Sequence, residues 1–233
     1  MGGVVAEPDE ALVEAARRGL AELADPVKAP QMQRYMRSEM PFRGVPKPER
    51  AALARRLFAA HPLPSPAVLV ATVRTLWDAA RFREERYLAT DLTGWRGYRA
   101  WQGPELLPLY EHMIVTGAWW DHVDEIANRR VGPLLLAHPD EVAPAMRAWA
   151  HDDDRWRRRT AIICQLGAKE RTDVALLTEA IEASIGEGDF FLRKAIGWAL
   201  RQHARVDPDW VRAFVAAHPD LSPLSVREAT KHL

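Results

Sequence analysis

Cys164 is the only cysteine in 233 residues. No intrachain disulfide and no cysteine-built metal knuckle can form. It falls beside the apolar run Ala161-Ile162-Ile163, which points to a buried, inert thiol rather than a nucleophile. Long apolar runs are missing too: no window approaches 18 consecutive apolar residues, so no helical membrane span is expected. There is no His-x-x-x-His or Cys-x-x-Cys pair, no Gly-x-Ser-x-Gly elbow and no glycine-rich phosphate loop. The chain therefore offers no metal site and implies no cofactor. Net charge is absent as well, with 32 basic against 32 acidic side chains, so total charge gives no argument for a nucleic-acid partner. The N-terminus begins Met-Gly-Gly-Val-Val-Ala and turns acidic at once. That is unlike a secretory signal, and position six lacks the Ser or Thr of a myristoylation site. A cytoplasmic protein is expected.

What is present is an ordinary globular composition, 48% hydrophobic and 27% charged, long enough to bury a single-domain core over residues 1–233. The charge is unevenly spread. Residues 1–25 carry six acids against two arginines, whereas residues 155–171 carry six basic residues against one acid. A local block of this kind can bind phosphate on a neutral protein, because steering depends on the field at the site.

Apolar spacing reads as helix nearly everywhere. The expected helices are 9–23, 30–38, 48–60, 65–80, 82–93, 104–116, 118–129, 139–150, 153–167, 172–186, 189–204, 208–217 and 223–232. No segment alternates as a strand does, so the fold class is all-α. Ala-His-Pro closes helices at 60–62, 137–139 and 217–219, where a histidine and a stop-proline serve as punctuation. A repeat of 34 residues aligns Arg159, Arg193 and Arg227, with Trp156, Phe190 and Leu224 in register before them. Two-helix units of this length imply a curved α-solenoid, with the arginines forming a stripe on its concave face.

In the helix expected at 118–129, Trp119, Val123 and Ile126 share an apolar face, and Trp120, Asp124 and Asn128 form a second stripe. An aromatic ring beside a carboxylate can hold a cation. The plainer reading makes Trp120 a wedge between helices and Asp124 a solvated acid. Of the arginines 155, 157, 158 and 159, the repeat selects Arg159 as inward-facing. Gly197, just before Trp198, either lets a ligand approach the backbone or permits a tight helix–helix contact.

Taken together, several stretches resemble the AlkD-like DNA alkylation repair family, the HEAT-like repeat DNA glycosylases. They are Tyr35-Met36, Pro41-Phe42-x-Gly44-Val45-x-x-Pro48-Glu49-Arg50, Trp119-Trp120-Asp121-x-Val123-Asp124, Trp156-x-x-Arg159-x-Ala161-Ile162, Phe190-Phe191-x-x-Lys194-Ala195-Ile196-Gly197-Trp198 and Leu224-Ser225-x-Arg227-Glu228-Ala229-x-Lys231-His232-Leu233. The resemblance implies a curved solenoid of HEAT-like repeats with a concave DNA-binding face. It implies a monofunctional glycosylase that releases alkylated purines, such as 3-methyladenine and 7-methylguanine, by hydrolysing the N-glycosidic bond without flipping the base. Asp124, Trp120 and Trp198 are then the catalytic residues, and Arg159, Tyr35, Arg193, Lys194 and Arg227 the DNA-binding ones. The partner is double-stranded DNA containing alkylated bases, with no membrane, and the protein acts as a monomer in the cytoplasm, on the nucleoid when bound to DNA.

The chemistry agrees with this reading. A purine alkylated at N3 or N7 is already positive and leaves readily, and the sugar becomes an oxocarbenium ion that a carboxylate and aromatic faces stabilise. Two other readings use the same residues: a catalytically silent DNA-binding relative, and a protein-binding α-solenoid scaffold.

Overall fold

The computed structural model describes residues 6–233; most of the N-terminal stretch read above, Met1–Val5, lies outside them. The described residues are helical throughout, with no strand among them. They cluster into two compact units, residues up to Gln102 and Gly103–Leu233, and each is described by itself.

The first unit holds α1 (Glu10–Glu22), α2 (Lys28–Met36), α3 (Lys47–Ala60), α4 (Pro66–Asp78) and α5 (Arg83–Thr93). Asp9 and Ser65 cap α1 and α4 by accepting from the backbone amides of Leu12 and Val68, which satisfies donors that a helix N-terminus leaves open. The turn from Pro41 to Val45 is held from inside. Fully buried Glu84 on α5 accepts from the amides of Arg43, Gly44 and Val45 at 2.9–3.1 Å. Gly44 is needed there because its φ is +84° and a Cβ would stand 2.2 Å from the Asp25 carbonyl oxygen.

The second unit contains α6 (Leu107–Gly117), α7 (Trp120–Ile126), α8 (Gly132–Ala137), α9 (Pro139–Ala150), α10 (Arg155–Ile163), α11 (Val174–Glu182), α12 (Phe190–His203), α13 (Pro208–Ala217) and α14 (Pro223–Ala229). Helices α7, α10, α12 and α14 pack successively side by side, and α9 and α11 pack against each other and against α10. This is the pairing of an α-solenoid.

Two boundaries near the Trp119–Asp124 stretch differ from the sequence reading in ways that bear on it. Ala118 has a φ of +42° and its amide caps α6 on the Ile114 carbonyl, so Trp119 is extended and precedes α7. Beyond α7 the helix does not stop at 129. A π-helical turn at Ala127–Val131 leads directly into α8, with the Gly132 amide bonded to Ala127 five residues back. Gly132-Pro133 reads as a breaker in the sequence. A π turn placed before the proline absorbs the register change that its missing N–H would otherwise force.

Candidate active site

The carboxylate of Asp124 on α7 faces the guanidinium of Arg159 on α10. Arg159 Nε donates to Oδ1 at 2.7 Å and Nη2 to Oδ2 at 2.8 Å, the two-pronged geometry that makes such pairs strong. Its Nη1 donates to the Phe191 carbonyl at the start of α12. One arginine thus ties three successive helices together. The Arg159 side chain is 6% exposed, and that of Asp124 is 18% exposed, so the arginine is sunk and the Asp124 side chain stays partly open to solvent. Burial pushes the Asp124 carboxyl above its usual value; the bonds and charge of Arg159 oppose that rise.

Trp120 begins α7 one turn before Asp124, and both are half-buried. Trp119 is not on the helix face assigned to it above. Its ring packs against Trp156 and Phe191, with centroids 6.3 and 5.4 Å away, and Phe190 extends the cluster. Arg155 lies over the Trp156 ring at 5.1 Å. Phe190 itself is 57% exposed.

The capping bonds give the repeat its true register. The helix caps fall at Trp119, Asp154, Asp189 and Ser222, which are 35, 35 and 33 residues apart. Five residues beyond each cap stand Asp124, Arg159, Lys194 and Arg227. Lys194, not Arg193, therefore occupies the place of Arg159 in α12. A constant offset of 34 missed this by one residue, a rotation of about 100° on a helix. Arg193 turns aside and donates from Nε to the Glu187 carbonyl. Nor do the aligned arginines form a uniform stripe, since Arg159 is buried, Arg193 half-buried and Arg227 exposed.

The basic block of α10 is internally neutralised. Arg155 pairs with Asp189, Arg157 with Asp152 and Glu111, and Arg158 with Glu187, at 2.9–3.1 Å. Arg158 also donates to the Ala183 carbonyl and Ser184 Oγ. Arg157 and Arg158 are half-buried. Sequence counting registers the six cations of residues 155–171 but not the acids that the fold brings to the four on α10. The other expected DNA contact, Tyr35, lies in the first unit, 78% exposed on α2.

Trp198 is half-buried one turn after Lys194. Of the two readings of Gly197, the tight helix contact is the one seen: a Cβ there would stand 2.5 Å from Glu228 Cβ on α14. Cys164 is buried, its thiol pushed up to about 12 by desolvation, as an inert core residue should be. A cavity of about 280 Å³ lies between the C-terminal ends of α10 and α12, lined in part by Gln165, Lys169, His203 and Arg205; none of the Asp124, Trp120 or Trp198 side chains lines it. Among the described residues, no cluster of three metal-ligating side chains occurs and no helix is long and apolar enough to cross a membrane.

The family profile of the DNA alkylation repair enzymes matches residues 16–233. The chain belongs to that family. A solved structure described as a predicted DNA alkylation repair enzyme from Enterococcus faecalis is similar at 32% identity, over 90% of this chain and 96% of that one, with a TM-score of 0.82. No protein with a curated function matches. Membership in the DNA alkylation repair family spans both compact units and includes Tyr35, Asp124, Arg159, Lys194 and Trp198. Sequence reasoning missed two members of the site. The Phe191 carbonyl carries no side-chain signal, and Glu228 was quoted in a motif without a role; its offset of 34 from Lys194 was the available clue.

Proposed function

We propose that this repair enzyme is a monofunctional DNA glycosylase. It would release positively charged alkylated purines, such as 3-methyladenine and 7-methylguanine, from duplex DNA by hydrolysing the N-glycosidic bond, with no flipped-base pocket required. The observation that carries the reading is a partly exposed aspartate side chain fixed by a buried arginine, one turn from a half-buried tryptophan. Each carboxylate oxygen has two acceptor directions, so Arg159 leaves one on each for water or for a developing cation. Bond cleavage sends the electron pair to the alkylated purine, which leaves neutral. Positive charge passes to the deoxyribose, where Asp124 stabilises it and orients the attacking water; the water oxygen bonds to C1′ and its proton goes to the Asp124 carboxylate, while Trp120 and Trp198 offer aromatic faces.

Magnitudes bound the claim. A carboxylate about 4 Å from the cation contributes roughly 4 kcal/mol at an effective dielectric near 20. A guanidinium about 8 Å away on the far side repels it by roughly 2 kcal/mol. The remainder is about 2 kcal/mol, or between one and two decades in rate. Arg159 thus fixes the geometry at some electrostatic cost. In this account it is a positioning residue, not the phosphate-contacting DNA-binding residue that the resemblance implies.

That neutralisation also supports a second reading, a silent DNA-binding relative in which the Asp124–Arg159 pair is purely structural. Quantified release of 7-methylguanine from a duplex separates the two. Base release faster than the spontaneous rate supports the glycosylase, and salt-dependent DNA binding without release supports the silent relative.

A further inference from the structure

At Gly197 helix α14 presses onto α12, with Ser225 O 3.0 Å and Glu228 Cβ 2.5 Å from where a Cβ would stand. Lys194 precedes Gly197 by three residues and Arg201 follows it by four, so both cations lie on the α12 face that carries Trp198. The close approach puts the Glu228 carboxylate between them. Oε1 accepts from Lys194 Nζ at 2.9 Å and Oε2 accepts from Arg201 Nη1. The side chains are 39%, 21% and 20% exposed for Lys194, Arg201 and Glu228, so the trio is within reach of solvent. Hydrogen bonding from Lys194, supported by Arg201, holds the Glu228 carboxyl below the usual range, which keeps it charged at neutral pH.

We propose that Glu228 sets the non-specific DNA affinity of this face by withholding Lys194 and Arg201 from the phosphates of undamaged duplex. The inference rests on the DNA-binding reading of the α7, α10 and α12 face. Phosphate attraction is blind to sequence and to lesion. Two free cations beside Trp198 would hold the enzyme on every stretch of normal DNA. With Glu228 in place, tryptophan contact with the altered nucleotide carries a larger share of the binding. The Asp124–Arg159 pair shows the same logic one helix away, since each inward cation there is also matched by an acid from a neighbouring helix.

The test is binding of the full chain to a labelled undamaged duplex across a range of salt. Each freed cation that reaches a phosphate steepens the salt slope by about 0.9, about an eightfold gain at 0.1 M salt. Glu228→Gln is expected to tighten binding by that factor at least and to raise the slope by about 1–2. Glu228→Asp, which keeps the charge, should stay near wild type. Lys194→Gln should remove about one unit of slope in the Glu228→Gln background and less than half a unit in the wild-type background. Unchanged or weaker binding by Glu228→Gln, or additive effects in that cycle, overturns the proposal while leaving the DNA reading intact. If the wild-type chain shows no salt-dependent binding, the DNA reading itself falls, and this inference with it.

Discussion

Glu84 in the first unit and Asp124 in the second are both carboxylates drawn out of water, and their partners differ in kind. Glu84 is fully buried and takes three backbone amides from one turn. Asp124 takes a single side chain from another helix, and its own side chain stays partly exposed. Both satisfy the rule that a buried charge must be paired or hydrogen-bonded. A carboxylate answered by the backbone amides of one distant turn is a fastener, fixing the Pro41–Val45 turn that forms part of the family resemblance. A carboxylate held by a neighbouring helix and left partly open can act on something else. Motif membership does not separate these two cases; the identity of the partners does.

The largest effect should come from breaking the fastener. Glu84→Ala strands three amides, each worth about 1–3 kcal/mol when buried without an acceptor. A loss of about 4 kcal/mol and a fall in the melting midpoint of about 10 °C are expected, with the single-turnover rate of the folded fraction unchanged. Asp124→Asn should lose rate as well as stability. It leaves the buried Arg159 charge without its carboxylate, so a loss of about 3 kcal/mol and a fall in the melting midpoint of about 8 °C are expected. The single-turnover rate of the folded fraction should fall by about three decades, because roughly 4 kcal/mol of attraction is lost and the Arg159 repulsion remains. A wild-type rate in the folded fraction of Asp124→Asn would erase the contrast.

Arg159→Lys sharpens it further. Lysine keeps the charge but cannot make the two-pronged contact, so a rate loss of about tenfold is expected. Because the guanidinium is buried, the salt slope for duplex binding should not change; a slope lowered by about 1 would restore the phosphate-clamp role. The smallest effect belongs to Trp198→Ala, about fivefold in rate from a lost aromatic contact. A melting drop of more than about 8 °C in that variant would mark Trp198 as a core residue instead.

The all-α class and most helix positions were readable because caps such as Asp9, Ser65, Asp154 and Asp189 mark starts directly, and apolar spacing marks faces. The pairing of Asp124 with Arg159 was not. Both were singled out, but Trp119 precedes α7 with no side-chain capping bond, so its 35-residue spacing to Asp154 carries no sequence signal, and a 34-residue alignment put Arg193 rather than Lys194 in register with Arg159. The neutralised basic block was hidden for a related reason. Its acids, Glu111, Asp152, Glu187 and Asp189, reach it only through the packing of helices and loops. Trp119 was misplaced because nothing in Gly117-Ala118 announces a left-handed cap at an alanine.

The central claim is that the ionised Asp124 carboxylate performs the chemistry, and the pH profile of single-turnover base release tests it most directly. Burial raises the Asp124 carboxyl, and the protonated form can neither stabilise a cation nor accept a water proton. The wild-type rate should therefore fall as pH drops through a value above the ordinary 3.8, and Asp124→Asn should be slow with no such limb. An acid limb retained unchanged in Asp124→Asn would contradict the account.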